Sequence, residues 1–164
     1  MFLQLGMNHK KEKMRVLDYY FIKEYQWKLN WFSKSGLLKV NVFPTNEFIR
    51  EKGYVNFNIV GEIFLAKKEF LDIKYINSTI SKIKQVITGD LTIYEISNEC
   101  VLLEIKKIYT RPISLLGDST GEEAPLSWNL STPVELQKIP TKEILQLFKD
   151  WKQFLNTQKD VIIK

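Results

Sequence analysis

The sequence predicts an α+β fold: a mostly antiparallel sheet packed by a short middle helix and a C-terminal amphipathic helix. Three observations carry that expectation. Apolar and polar residues alternate through several segments, polar links of hairpin length join some of them, and apolar residues recur at helical spacing in two stretches.

The alternation begins in an aromatic stretch, where Tyr25, Trp27, Leu29 and Trp31 fall on one face of a strand. Ser33-Lys34-Ser35-Gly36 reads as a turn, after which Leu38, Val40 and Val42 alternate until Pro44, so this region is expected to be a hairpin. Residues 45–53 suit one helical turn ended by Gly53. Across 54–66, Val55, Phe57 and Ile59 alternate with Asn56 and Asn58. This predicts a long strand with a bulge or bend at Gly61.

Ile80, Ile83, Val86 and Ile87 lie at three- and four-residue spacing, which predicts a helix over 78–88, started by Asn77 or Ser78 and stopped by Gly89. Strands over 91–96 and 101–109 follow, joined by Ser97-Asn98-Glu99. Pro112, Gly117, Gly121 and Pro125 mark residues 111–127 as a long loop, with a short strand expected at 128–130. Pro140-Thr141 then opens a helix over 141–157, on which Ile144, Leu145, Leu147, Phe148, Trp151, Phe154 and Leu155 form a wide apolar stripe suited to covering a sheet.

A chain of 164 residues is large enough for one core, and the single linker-like stretch leaves too little sequence after it for a second. Residues 1–164 therefore read as one domain, with 1–14 a flexible N-terminus. Hydrophobic and charged fractions of 45% and 26% are those of a globular chain. No apolar run reaches the length of a membrane span, and Met1 to Met7 lacks the leading charge and length of a signal peptide. The lone Cys100 sits in an apolar run that reads as buried strand, which favours a reducing, cytoplasmic setting.

Candidate chemistry is sparse. The only histidine, His9, lies in a polar N-terminal stretch away from Cys100, so neither a Cys-His nor a Ser-His-Asp arrangement is supported and no enzyme is expected. Gly117 to Gly121 lacks the Gly-Lys-Ser/Thr ending of a phosphate-binding loop and carries acidic residues instead. Asp118, Glu122 and Glu123 do not have the spacing of a calcium loop, and one Cys with one His makes zinc weaker still; no metal or cofactor is expected. The net charge is +5, with Lys10, Lys11, Lys13 and Arg15 clustered near the N-terminus and later lysines interleaved with glutamate.

Three passages resemble small bacterial immunity proteins encoded beside polymorphic or contact-dependent growth inhibition toxins. They are Val60-Gly61-Glu62-Ile63-Phe64-Leu65, the pair Gly89-Asp90-Leu91-Thr92-Ile93-Tyr94-Glu95 and Val101-Leu102-Leu103-Glu104-Ile105, and the closing run from Pro140 to Leu155. The resemblance implies a non-enzymatic, cytoplasmic inhibitor that covers the active site of a cognate toxin. Asp118, Glu122 and Glu123 would pair with cationic groups of that toxin, and Trp128 would serve as an aromatic anchor. The positive net charge departs from the acidic character common among nuclease inhibitors. The alternative is nucleic-acid binding, with Tyr19, Tyr20, Tyr25, Trp27 and Trp31 stacking bases and Lys10, Lys11, Lys13, Lys23 and Lys28 on phosphates.

Overall fold

Alternation in the aromatic stretch produces the first sheet. Strands β1 (Leu17–Lys28) and β2 (Ser33–Pro44) pair antiparallel, with Leu17 opposite Pro44, Phe21 opposite Val40 and Lys28 opposite Ser33. The hairpin expected from the sequence is present, but Ser33-Lys34-Ser35-Gly36 is strand rather than turn, paired in register with 25–28. The described residues of this computed structural model are 15–28, 33–52, 57–65, 68–99, 101–115 and 138–157.

Helix α1 (Asn46–Lys52) follows, where a single helical turn was expected. Thr45 starts it: its hydroxyl accepts the Phe48 N–H at 3.1 Å and donates to the Arg15 carbonyl at 2.7 Å, which fastens the helix to the start of β1.

The segment read as a bent strand is instead helix α2 (Asn58–Leu65). Its buried residues Ile59, Val60, Ile63 and Phe64 share one face and Asn58 and Glu62 fall on the other, but two turns carry little periodicity beside the strand-like alternation of Val55, Phe57 and Ile59. Gly61 makes no bend. It is the point where α2 crosses β2, and a Cβ there would fall under 3.0 Å from the Val40 carbonyl oxygen. Only glycine allows that approach.

A short 3-10 turn, Lys68–Leu71, leads into α3 (Ile73–Thr88). This helix begins five residues before the expected start. Asp72 caps it by accepting the Lys74 N–H at 3.0 Å, and Ile76, Thr79, Ile80, Ile83 and Val86 form its buried face. Gly89 ends it as expected, in the left-handed conformation at φ 93°.

The second sheet is an antiparallel meander, β3-β4-β5-β6, of Ile93–Ser97, Val101–Lys106, Tyr109–Ser114 and Ile139–Pro140. Two expectations need correction here. The run 101–109 is two strands folded at Lys107-Ile108, and residues 111–114, read as the start of a long loop, belong to β5. The rest of that loop and the strand expected at 128–130 lie outside the described residues, as does Cys100.

Helix α4 (Thr141–Thr157) matches the sequence reading and buries Ile144, Leu147, Phe148, Trp151 and Leu155. Thr141 sets where the meander turns: its hydroxyl donates to the Lys106 carbonyl and its N–H to the Ile108 carbonyl at 2.9 Å, while Thr110 Oγ1 lies 3.0 Å from Thr141 Oγ1. The core is rich in rings. Phe64, Phe70, Phe148 and Trp151 pack with centroids 4.8 to 5.5 Å apart, and the Trp151 indole N–H donates to the Phe70 carbonyl at 2.6 Å. The architecture is thus α+β with antiparallel sheets packed by helices. No helix among the described residues is long and apolar enough to cross a membrane.

Candidate functional site

Strand alternation gives the meander two unlike faces. Ile96, Val101, Leu103, Ile105, Thr110 and Ile139 point into the core. The opposite face carries Ile93, Glu95 and Ser97 from β3, Leu102, Glu104 and Lys106 from β4, and Tyr109, Arg111 and Ile113 from β5.

Register orders this outer face into rows. Ile93 lies opposite Lys106, Tyr109 lies opposite Pro140, and the β4–β5 ladder brings Lys106 beside Tyr109, so these four residues cross the sheet in one line. Ile93, Tyr109 and the adjoining turn residue Ile108 are large apolar side chains exposed by 39%, 49% and 66%. The next row is charged: Glu95 faces Glu104, and Glu104 faces Arg111. Arg111 Nε stands 3.8 Å from Glu104 Oε1, a charge contact too long for a hydrogen bond, and that nitrogen is buried with no hydrogen-bond partner. Lys106 Nζ reaches the same carboxylate oxygen at 3.8 Å.

In protein interfaces generally, aromatic and aliphatic groups supply much of the binding energy and bordering charges set orientation. No group of three or more His, Cys, Asp or Glu side chains arranged to hold a metal occurs among the described residues.

Half-buried titratable groups lie elsewhere, between α4 and β1. Glu143 accepts the Val16 N–H at 2.9 Å and the Leu17 N–H at 2.9 Å, and the Tyr19 hydroxyl donates to Asp150. Burial pushes the Glu143 carboxyl above the usual range, with the Leu17 and Val16 amides pulling it partly back. Burial, then the Asp150 hydrogen bond, raises the Tyr19 phenol strongly. Each charge is engaged with β1, so the arrangement is a clasp that fixes the first strand to the last helix.

The residues singled out from the sequence fall as follows. Asp118, Glu122, Glu123 and Trp128 lie outside the described residues, as do His9, Lys10, Lys11, Lys13 and Trp31. Of the rings proposed to stack bases, Tyr19 is turned to Asp150, and Tyr20 is exposed and lies tilted against Phe43, with ring centroids 6.0 Å apart. Tyr25, Trp27 and Lys28 lie on β1, with side chains outside the described set. Ile93, Ile108 and Tyr109 were missed because an exposed strand residue looks like a core one in sequence. The Lys106-Lys107 pair before Ile108 was the available hint of an exposed turn.

Comparison with known proteins finds no family model, no curated protein and no solved structure that matches this chain.

Proposed function

We propose that the protein acts by binding and not by catalysis, as an immunity protein: a stoichiometric, cytoplasmic inhibitor that covers the active site of a cognate bacterial toxin. One observation carries the binding part of this reading: on the open face of the meander the exposed Ile93 and Tyr109 flank Lys106 in one row, with half-buried Pro140 at its end and exposed Ile108 beside it. Tyrosine and isoleucine at such a position offer contact area at low entropic cost, and Glu95, Lys106 and Arg111 around them supply the charged rim. The toxin as partner follows from the passages that resemble immunity proteins, above all the helix 141–157.

The test begins with recovery of the tagged protein from its native host, with and without nuclease treatment, followed by mass spectrometry. A single protein partner in stoichiometric amount, resistant to nuclease and non-toxic while bound, is the expected result. Replacing Ile108 and Tyr109 together by Ala is expected to weaken that complex by roughly 30-fold or more, about 2 kcal/mol, with an unchanged melting temperature. Recovery of nucleic acid, or loss of every partner after nuclease, overturns the reading in favour of nucleic-acid binding, whose affinity would fall steeply with salt. Undiminished binding by the folded double variant removes this face from the interface.

A further inference from the structure

The charges of α4 are sorted by side. Glu143 and Asp150, seven residues apart, both engage β1: Glu143 through backbone amides, Asp150 through the Tyr19 hydroxyl, with Gln146 donating to its other oxygen at 2.8 Å. Lys149 and Lys152 point instead toward α3, whose 16 residues include Lys74, Lys82 and Lys84 and no acid. Between the two helices lies a cleft of about 500 Å³ lined by Asn77, Ile80, Ser81 and Lys84 of α3 and by Lys149 and Lys152 of α4.

Three lysines from two helices therefore line one cavity, and none of them forms an ion pair or hydrogen bond among the described residues. Asn77, Ser81 and Lys84 recur at four and three residues, which places an amide, a hydroxyl and an ammonium in line along α3. Ser81 Oγ accepts from Gln85 at 3.4 Å and keeps its own proton to donate. Like charges gathered at one cleft make a local positive potential, which an anion bridging them would neutralise.

The shape of the lining selects among anions. Ile80 is the one apolar residue among those that line it, the others carrying amide, hydroxyl or ammonium groups. The volume is that of a small-molecule site and not of an extended chain. Lysine presents a compact point charge with three donors, suited to phosphate oxygens, and three lysines call for a ligand carrying several charges close together.

We propose that the α3–α4 cleft binds a compact, multiply charged phosphate compound, with the size and charge of a nucleoside triphosphate or inorganic tripolyphosphate. The site is separate from the apolar row on the meander and stands or falls without it.

The experiment is calorimetric titration of the full-length protein with inorganic tripolyphosphate at low salt. The wild type is compared with K84Q/K149Q/K152Q and with a variant of equal charge loss elsewhere, R50Q/K107Q/K138Q. Saturable binding that weakens roughly tenfold or more in the cleft variant, and by less than about threefold in the other, supports the site. Adenosine triphosphate competing for it supports a nucleotide ligand, and no competition supports the inorganic compound.

No saturable heat with tripolyphosphate, or equal weakening in both variants, overturns the proposal. So does tighter binding of a short oligoglutamate peptide or of a single-stranded oligonucleotide through the same lysines, because the cleft would then serve a macromolecule. If the triple variant melts early, the single changes K84Q and K149Q, each beside its arginine counterpart, give the same comparison.

Discussion

Replacing Gly61 by Ala adds one methyl group to the point where α2 lies on β2. That methyl would sit under 3.0 Å from the Val40 carbonyl oxygen, and also 3.4 Å from the Val40 carbonyl carbon and 3.5 Å from Val42 Cγ2. The oxygen belongs to a paired strand, since Val40 is in register with Phe21, and cannot swing away as a side-chain tip would. Helix and strand must therefore separate by a few tenths of an ångström to about 1 Å, and a gap of that size forfeits a quarter to a half of the dispersion energy of the atoms along it. Val40, Val42, Val60, Ile63 and Phe64 are all buried around this crossing, so overpacking is expected to cost about 2–3 kcal/mol. Alanine's better helix propensity returns about 0.5–1 kcal/mol. The net loss is about 1–2 kcal/mol, or roughly 3–8 °C in melting temperature for a chain of this size. Urea denaturation followed by circular dichroism measures it. A G61A protein as stable as the wild type, or more so, would show that α2 does not cross β2 at this glycine, and would reopen the strand reading of 54–66.

Two further perturbations probe the core and the clasp. Trp151→Phe removes the indole N–H that bonds the Phe70 carbonyl and leaves that oxygen unpaired inside the ring cluster; a loss of about 2–3 kcal/mol is expected in urea denaturation, and a change below roughly 0.5 kcal/mol would contradict the packing described. Glu143 governs a pH dependence. Because burial raises its folded-state pKa above the unfolded value, the native state holds the extra proton, and its contribution is fully present below the ordinary carboxylate pKa and declines as pH rises through the raised one. Urea midpoints across that acidic window are expected to show this decline in the wild type and its loss in E143Q, whereas parallel profiles would mean that Glu143 is not the group responsible.

Elements whose apolar residues face one way were legible in the sequence. The stripe of α4, the buried face and the Gly89 stop of α3, though not its Asp72 start, and the alternation of β2 all predict what is found, because each packs on one side only. Helix α2 was not legible because it is only eight residues long: Asn58 and Glu62 alone mark its polar side, and the alternation of Val55, Phe57 and Ile59 runs into it at strand spacing. The Phe57, Val60 and Phe64 spacing was the weak trace it left. The fold at Lys107-Ile108 has the Lys106-Lys107 pair as its one local signal, since hydrogen bonds from Thr141, more than thirty residues later, hold it. The candidate site was hidden by a similar dependence. Which of Ile93 and Tyr94, or Tyr109 and Thr110, faces outward is decided by where the helices settle, and the basic cleft exists only because two distant helices meet.

The clasp between Glu143 and β1 also bears on the order in which the chain acquires its structure. The amides of Val16 and Leu17 meet their acceptor 127 and 126 residues later, and the Phe21 ring finds Trp151 and Phe154 only on that same helix. During synthesis the first strand must therefore wait, paired only with β2, until the last helix has left the ribosome. Contacts of such sequence separation close slowly, so docking of the first strand on α4 is expected to be a late step in folding.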